Sequence, residues 1–246
     1  MNEDKEMQPH WQVDLTASYT QKTANRIRFF QLPLRATFEV LGMGRITVDW
    51  GDGTVEQLEL PAKRLRCKHD YARLDSYSIR VVGGPESELL CLDLWIGPEC
   101  AKKNHCCYTS LRIDRCKKLF WLYCPHHEIE ELDLAGCPKL EELYCQCNRL
   151  QRLDLRPTRS LRKLACELNP IEKLDLSPCP QLRSLALGYM PLTRLDMTPC
   201  GKLEELSCES SPLTTLRLGR HPKLKSLWCR DSRLTELELG GCPALK

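Results

Sequence analysis

The sequence predicts a mainly β chain, in which a β-sandwich precedes a solenoid of short strands with little regular helix. Leucines recur every 21 residues from Leu119 to Leu245 without an insertion. Each period contains two LxL cores that alternate inward and outward positions, as strands do. Residues 1–88 lack the period but carry strand and turn patterns of their own. The predicted organisation is therefore a sandwich over 1–88, a transition or N-terminal cap with an insertion over 89–118, and six 21-residue repeats over 119–246.

The first segment contains the patterns that predict the sandwich. Phe38–Asp49 predicts a strand, a short turn and a second strand, and Trp50–Thr54 (WGDGT) predicts a tight turn. Val55–Leu60 alternates in polarity. The stretch His69–Tyr71, followed by Tyr77–Gly83, predicts a further strand.

Three residues of the WGDGT region have expected roles. Trp50 is expected in the core. Asp49 and Asp52 are expected to accept hydrogen bonds within the turn, with calcium binding as the alternative.

The transition segment contains two half-repeats and a group of cysteines. Leu89–Leu94 (LLCLDL) and Tyr108–Cys116 each fit a half-repeat, with an insertion between them. Cys100, His105, Cys106 and Cys107 could be drawn as a zinc site with His126 or His127 nearby, but no CxxC pair is present. The sequence therefore predicts an irregular cap with incidental thiols and no metal. A thiol enzyme using Cys107 with His105 or His127 is the corresponding catalytic alternative.

The repeats predict stacked rungs of two unequal halves. Leu140–Leu150 fits LxxLxCxxNxL, and Leu150–Leu161 fits LxxLxL with one more residue before the next leucine. Proline and glycine between the LxL cores predict turns. One rung cannot bury its own apolar face, so successive rungs must stack to form a core.

Ten of the 16 cysteines fit the 21-residue period as two inward columns. One column is Cys124, Cys145, Cys166, Cys208 and Cys229; the other is Cys116, Cys137, Cys179, Cys200 and Cys242, with Thr158 and His221 on its remaining rungs. Parallel stacking at about 4.8 Å keeps their Cβ atoms farther apart than disulfides prefer. The columns are therefore predicted to be free, buried thiols.

Residues 108–246 resemble leucine-rich repeats, whose motif is LxxLxLxxNxL, and the nested 21-residue form resembles a bacterial subclass. The asparagine of the motif is present at Asn148 and Asn169. Its equivalents on other rungs are His127, Met190, Ser211 and Ser232. A buried asparagine ladder satisfies backbone groups inside the turns. Its partial loss predicts looser turns, or water in its place.

Residues 35–84 resemble the immunoglobulin-like β-sandwich of the PKD type. The resemblance rests on the WGDGT turn, on His69 and Tyr71, and on Tyr77–Val81, with Ser76 where a glycine is usual. It implies that Trp50 anchors the core. PKD-like domains joined to bacterial leucine-rich repeats are a familiar arrangement.

The outward positions of the first half-repeat form the predicted binding surface. In the resembled family this strand face usually holds the ligand, and exposed aromatic residues are typical interface anchors. The predicted partner-binding residues are Trp121, Tyr123, Glu142, Tyr144, Lys163, Glu205, Trp228 and Arg230. Alternatively, Trp121 packs under the insertion and Trp228 is a rim residue. The aspartates at 133, 154, 175 and 196 on the second half are predicted to form a solvated face rather than a cation site.

Charge and motifs exclude several function classes. The formal net charge is +3, and acidic and basic residues nearly balance within the repeats, which disfavours nucleic-acid binding. The chain has no P-loop, HExxH or GxSxG motif, so no catalytic residues and no cofactor are predicted. The expected function is a non-catalytic interaction module for a protein or a surface glycan. The alternative is a structural protein that forms a homodimer through its C-terminal edge.

The sequence gives two expectations about localisation. The charged start and the lack of about 18 consecutive apolar residues predict neither a signal peptide nor a membrane span. With reduced thiols, this favours the cytoplasm. The family resemblance instead implies a bacterial cell surface or secretion, if a leader was removed.

Overall fold

The computed structural model describes residues 9–18, 34–94 and 106–246, and within them it contains strands and no helix. The predicted mainly β fold with a repeat solenoid is confirmed. The N-terminal strands are β1 (Trp11–Ser18), β2 (Leu34–Asp49), β3 (Val55–Leu60), β4 (Leu65–Tyr71), β5 (Tyr77–Gly83), β6 (Glu88–Asp93) and β7 (Cys107–Asp114). The repeat strands are β8 (Trp121–Tyr123), β9 (Glu131–Asp133), β10 (Glu142–Tyr144), β11 (Lys163–Ala165), β12 (Ser184–Ala186), β13 (Arg194–Asp196), β14 (Glu205–Ser207), β15 (Thr215–Arg217) and β16 (Ser226–Trp228). No helix in the described part of the chain is long and apolar enough to cross a bilayer.

Strand β2 belongs to two sheets at once. Its first part pairs with β4 and β6, and its last part pairs with β3 and β5. The turn predicted inside Phe38–Asp49 is therefore wrong, because these residues form part of one continuous strand of 16 residues. The strand bends at its glycines: the register with β6 shifts between Leu41 and Gly42, and Gly44 has a φ of 79°. A Cβ atom on Gly42 would lie 2.1 Å from the carbonyl oxygen of Glu88, so the bend requires glycine there.

The two sheets of the sandwich continue into the two faces of the solenoid. Strand β6 pairs in parallel with β8, placing Leu92 opposite Leu122. Strand β7 pairs with β1 on one side and with β9 on the other, placing Leu111 opposite Leu132. Both predicted half-repeats before residue 119 thus act as solenoid strands. A single hydrophobic core runs through both regions, and the boundaries at 88/89 and 118/119 stay a prediction.

The repeat strands form two faces that differ in hydrogen bonding. The first face consists of β8, β10, β11, β12, β14 and β16, which pair in parallel and in register through every rung. The second face consists of β9, β13, β15 and the equivalent segments of the other rungs. There β9 pairs only with β7 and β13 only with β15, and no strand forms at 152–154 or 173–175. Hydrogen bonding therefore fixes the rung spacing throughout the first face but only locally on the second.

The cysteine columns are buried as predicted. The ten cysteines of the two columns form no disulfide, and they are buried except for Cys229, which is half-buried. Burial raises the pKa of Cys200 and of Cys208 to about 12. Such thiols are protonated at neutral pH and pack as small apolar side chains.

The turns that follow the first face keep one backbone geometry on every rung, and their looser packing where asparagine is absent stays a prediction. The residue before each asparagine-equivalent site is left-handed, with φ between 53° and 62°: His126, Cys147, Leu168, Tyr189, Ser210 and Asp231. On the second rung, Asn148 Oδ1 accepts a hydrogen bond from the amide of Ile129 at 3.0 Å. Its Nδ2 donates to the carbonyls of Cys124 and Cys145 at 2.8 and 3.0 Å. Asn169 repeats these contacts one rung later.

His127 and Ser211 take over the hydrogen bonds of asparagine on two of the rungs that lack it. His127 Nδ1 faces the amide of Tyr108 at 3.5 Å, and its Nε2 lies 2.8 Å from the carbonyl of Leu94. The Nε2–H tautomer satisfies both contacts. Ser211 Oγ accepts from the amide of Met190 at 3.3 Å. Direct hydrogen bonds thus preserve the turn on these rungs.

Candidate functional site

The predicted binding residues lie on the first face because each of its strands has the form x-L-x. The leucine points into the core, and its two neighbours point outward. The parallel register stacks equivalent residues, so that Trp121, Glu142 and Lys163 are neighbours on successive rungs. The structure gathers the predicted residues into two groups, one at each end of the face.

The first group contains an aromatic cluster. The rings of Trp121 and Tyr123 are stacked, with centroids 5.4 Å apart and an interplanar angle of 9°. Tyr144 on the next rung lies 5.4 Å from Tyr123 and 6.3 Å from Trp121. We call these three residues the aromatic platform.

Arg64 and Asp93 complete this platform, and the sequence did not indicate either residue. The guanidinium carbon of Arg64, just before β4, lies 4.4 Å from the Trp121 ring centroid. The same guanidinium bonds the carboxylate of Asp93 at 2.6 Å, and Asp93 is 7% exposed. Arg64 therefore packs against the Trp121 ring, for which the sequence had offered packing under the insertion as an alternative. Most of that insertion, including Cys100 and His105, lies outside the described residues.

Glu142 links the platform to the next rung. It accepts a hydrogen bond from the Tyr144 hydroxyl at 2.7 Å and pairs with Lys163 Nζ at 3.3 Å. Burial, and secondly the contact with Glu142, raise the pKa of Tyr144. The Tyr144 hydroxyl therefore stays protonated and donates its hydrogen bond to Glu142. This bond fixes the orientation of the Tyr144 ring.

The second group lies at the far end of the face. The Trp228 side chain is 50% exposed. Arg230 bonds Glu209 at 2.8 Å, and Ser184 lies 3.2 Å from Glu205. Four rung spacings of about 4.8 Å separate Trp228 from Tyr144, a distance of roughly 19 Å. The structure therefore does not bring the two predicted groups into one compact site.

Small side chains form the floor between the two groups. Ala165, Ala186 and Ser207 occupy the positions between Tyr144 and Trp228. Beside them runs a further outward column, in which Arg230 alone was predicted to bind a partner. It contains Gln146 and Glu167, each with a buried oxygen atom that has no hydrogen-bond partner. No sequence signal could have identified these atoms, since their lack of a partner depends on the packing of adjacent rungs.

The second face has a different chemistry. A groove of about 660 Å³ lies between its rungs, lined among others by Lys173, Arg194 and Arg217. Each aspartate of this face accepts a hydrogen bond from the amide two residues later, as Asp154 does from Arg156 at 3.0 Å. Asp133, Asp175 and Asp196 repeat this contact at 2.9–3.0 Å. The aspartates therefore close turns.

The described cysteines and the histidine of the proposed thiol site lie in the interior. Cys106 and Cys107 are buried, and burial raises the pKa of Cys106. Both ring nitrogens of His127 face backbone groups. Among the described residues, no group of three or more potential ligands could hold a metal ion.

Comparison with known proteins shows similarity to a solved repeat structure. No family model matches the chain, and no curated protein matches it. A solved structure of the functional domain of InlJ from Listeria monocytogenes, which includes a cysteine ladder, is similar with 28% identity and a TM-score of 0.52. The match covers 53% of this chain and 29% of that chain. The likeness and the shared cysteine ladder support a solenoid of the bacterial leucine-rich-repeat type.

Proposed function

We propose that this chain is a non-catalytic binding module whose first face receives an extended segment of a partner protein. The observation that carries the proposal is the aromatic platform, which stands at one end of a floor of small side chains on a hydrogen-bonded sheet. Aromatic rings that are already fixed lose little entropy when a partner covers them.

The distances on the face favour a polypeptide partner. About six extended residues are needed to cover the roughly 19 Å from Tyr144 to Trp228. Small side chains at Ala165 and Ala186 leave room for a main chain between these two rings. The likeness to a repeat-built functional domain also supports a module without catalysis.

A double variant tests this surface. Tyr144→Ala with Trp228→Ala is expected to abolish capture of the native partner from its natural surroundings, because both aromatic anchors are lost. Thr193→Ala with Thr235→Ala on the second face is the matched control and is expected to capture normally. Partner identification by mass spectrometry, with and without deglycosylation, separates a protein ligand from a surface glycan. Unchanged capture by the aromatic double variant would refute the proposed face.

We further propose that the N-terminal sandwich is of the PKD type and caps the solenoid. Trp50 is fully buried, and the Tyr71 hydroxyl donates to the Trp50 carbonyl at 2.8 Å. The turn aspartates Asp49 and Asp52 accept hydrogen bonds from Gly51 and Thr54. Trp50→Ala is expected to accelerate hydrogen exchange in β8 and β9 more than in β14. Equal protection of these strands would argue against capping.

Self-association through β16 is a second candidate. Among the described residues β16 has no strand on its outer side, and Trp228 and Leu239 are exposed there. Light scattering coupled to size-exclusion chromatography tests it. A concentration-dependent dimer that is lost on changing Ser226 to Pro would support this role, and a strict monomer would reject it.

A further inference from the structure

Gly188 opens a slot between two glutamates on the first face. A Cβ atom built on Gly188 would lie 4.0 Å from Cγ of Glu167 and 3.6 Å from Cγ of Glu209. The two acidic side chains thus flank a position that has no side chain of its own. Gln146 lies on the rung before Glu167, in the same outward column. We call the space bounded by Gln146, Glu167, Gly188 and Glu209 the Gly188 slot.

Two acceptor atoms at this slot lack a donor. Gln146 Oε1 and Glu167 Oε2 are both buried without a hydrogen-bond partner. Burial also raises the pKa of Glu167. Buried acceptors in proteins are nearly always satisfied, so an unmet pair indicates a donor that comes from elsewhere.

Ion pairs elsewhere on this face indicate which kind of hydrogen-bond donor would suit the two acceptors. Glu209 is paired with Arg230 on the following rung at 2.8 Å. In the same column, the residue that follows Glu167 by one rung is Gly188, which supplies no cation. At the end of the face, Arg64 bonds Asp93 while it lies over the ring of Trp121. Arg64 and Arg230 thus each place a guanidinium beside a carboxylate at this face, whereas Gly188 supplies none to Glu167.

The rim of the slot is apolar and strained. Leu168 and Tyr189 directly follow Glu167 and Gly188, and they are 50% and 53% exposed. Both have left-handed backbones, with φ of 55° and 59°. The same conformation recurs in this turn on every rung, but bulky residues rarely adopt it. An apolar rim also excludes water from an ion pair formed beneath it.

We propose that the Gly188 slot takes the side chain of an arginine on the partner polypeptide, whose guanidinium bonds Glu167 Oε2 and Gln146 Oε1 together. A planar guanidinium can reach two acceptors at once and pack against the Tyr189 ring, whereas the ammonium group of lysine is a single point charge. This inference rests on the proposed function, because it names a side chain of the partner that the first face receives.

The direct test uses Nα-acetyl-arginine amide as the probe, followed by the amide signal of Gly188 in NMR titrations of the full chain. We expect saturable shifts with a dissociation constant on the order of 1 mM, as a single side chain provides. Nα-acetyl-citrulline amide has the same shape without the charge and is expected to bind about tenfold more weakly. The arginine affinity is expected to rise as the pH increases through the raised pKa of Glu167, because only the carboxylate pairs with the cation. Glu209, already paired with Arg230, is the other acidic group at the slot.

Variants separate recognition from folding. Glu167→Gln is expected to weaken arginine binding about tenfold and to raise the thermal midpoint, since it removes a buried charge without a partner. Gly188→Arg is expected to fill the slot from within and to abolish probe binding. Glu172→Gln makes the same charge change on the second face of the same rung and is expected to bind the probe like the parent.

Three outcomes would overturn the inference: equal binding of arginine and citrulline amides, unchanged binding by Glu167→Gln, or equally strong shifts caused by glucose, which would indicate a glycan slot. Loss of partner capture by the Tyr144/Trp228 variant, combined with no arginine binding, would refute this inference while leaving the proposed function in place. Arginine binding at the slot, combined with unchanged capture by that variant, would refute the proposed function alone.

Discussion

The two faces of the solenoid arise from the same LxL pattern but are stabilised differently. The first face is one parallel sheet in which the leucines from Leu122 to Leu206 are at most 2% exposed. The second face has strands on only some rungs, and Leu132 and Leu174 are partly exposed. Two turns after the first face are held by the buried Asn148 and Asn169, whereas four turns after the second face are closed by exposed aspartates. A regular ladder on one face and local contacts on the other therefore hold the first face more firmly than the second.

The largest expected effect compares one leucine from each face on the same rung. Leu164→Ala is expected to lower the free energy of unfolding by about 3–5 kcal/mol, because it leaves a cavity under a hydrogen-bonded strand. Leu174→Ala is expected to cost about 1–2 kcal/mol, because that side chain is already partly exposed and has less apolar area to lose. Urea unfolding of both variants provides the measurement. Equal losses would show that the two faces are equally well packed.

The turns offer a second comparison on one rung. Asn148→Ala is expected to cost about 2–4 kcal/mol, because it leaves the amide of Ile129 and the carbonyl of Cys124 buried without partners, whereas the carbonyl of Cys145 keeps its bond from Asn169. Asp154→Ala removes a contact with the amide of Arg156 that water can replace, and about 0.5–1 kcal/mol is expected. Thermal unfolding of the two variants measures the difference. A larger loss of stability for Asp154→Ala than for Asn148→Ala would indicate that the turns after the second face are the more rigid ones.

Two buried histidines sharpen the comparison further. His127, after the first face, has both nitrogens facing backbone groups, whereas neither nitrogen of His221, after the second face, has a hydrogen-bond partner. A leucine of similar volume is expected to destabilise by about 2–3 kcal/mol at position 127. At position 221 the same change is expected to stabilise by about 1 kcal/mol, because no hydrogen bond is lost. Denaturation midpoints that move in the same direction for both variants would contradict this difference.

The sequence patterns correctly predicted which side chains point into the core and which point outward. They did not predict which face would be hydrogen-bonded on every rung. The 21-residue period correctly placed the leucines and cysteines inside, and Trp121 and Tyr144 outside, because side-chain direction follows from position in a strand. Both halves of the repeat carry the same LxL core, so the pattern could not tell which face would be hydrogen-bonded throughout. The contact of Arg64 with Trp121 depends on how the sandwich joins the first rung, which no local pattern encodes. The bend of β2 at Gly42 was likewise predicted as a turn, because glycine permits both.

The smallest expected effect concerns the strain of left-handed backbones, which recur on every rung only in the turns after the first face. Leu168 adopts a left-handed backbone, whereas the equivalent position after the second face is proline on three rungs, at 157, 178 and 199, which fixes a negative φ. Leu168→Gly is expected to stabilise the fold by about 0.5–1 kcal/mol, since relief of about 1–2 kcal/mol of strain exceeds the entropic cost of glycine. Differential scanning calorimetry measures this gain, and Leu192→Gly at a buried position with ordinary φ is the control that must destabilise. If Leu168→Gly also destabilises, the exposed leucine stabilises its own turn. If it stabilises while partner capture weakens, the strain is retained for the surface that Leu168 presents beside the Gly188 slot.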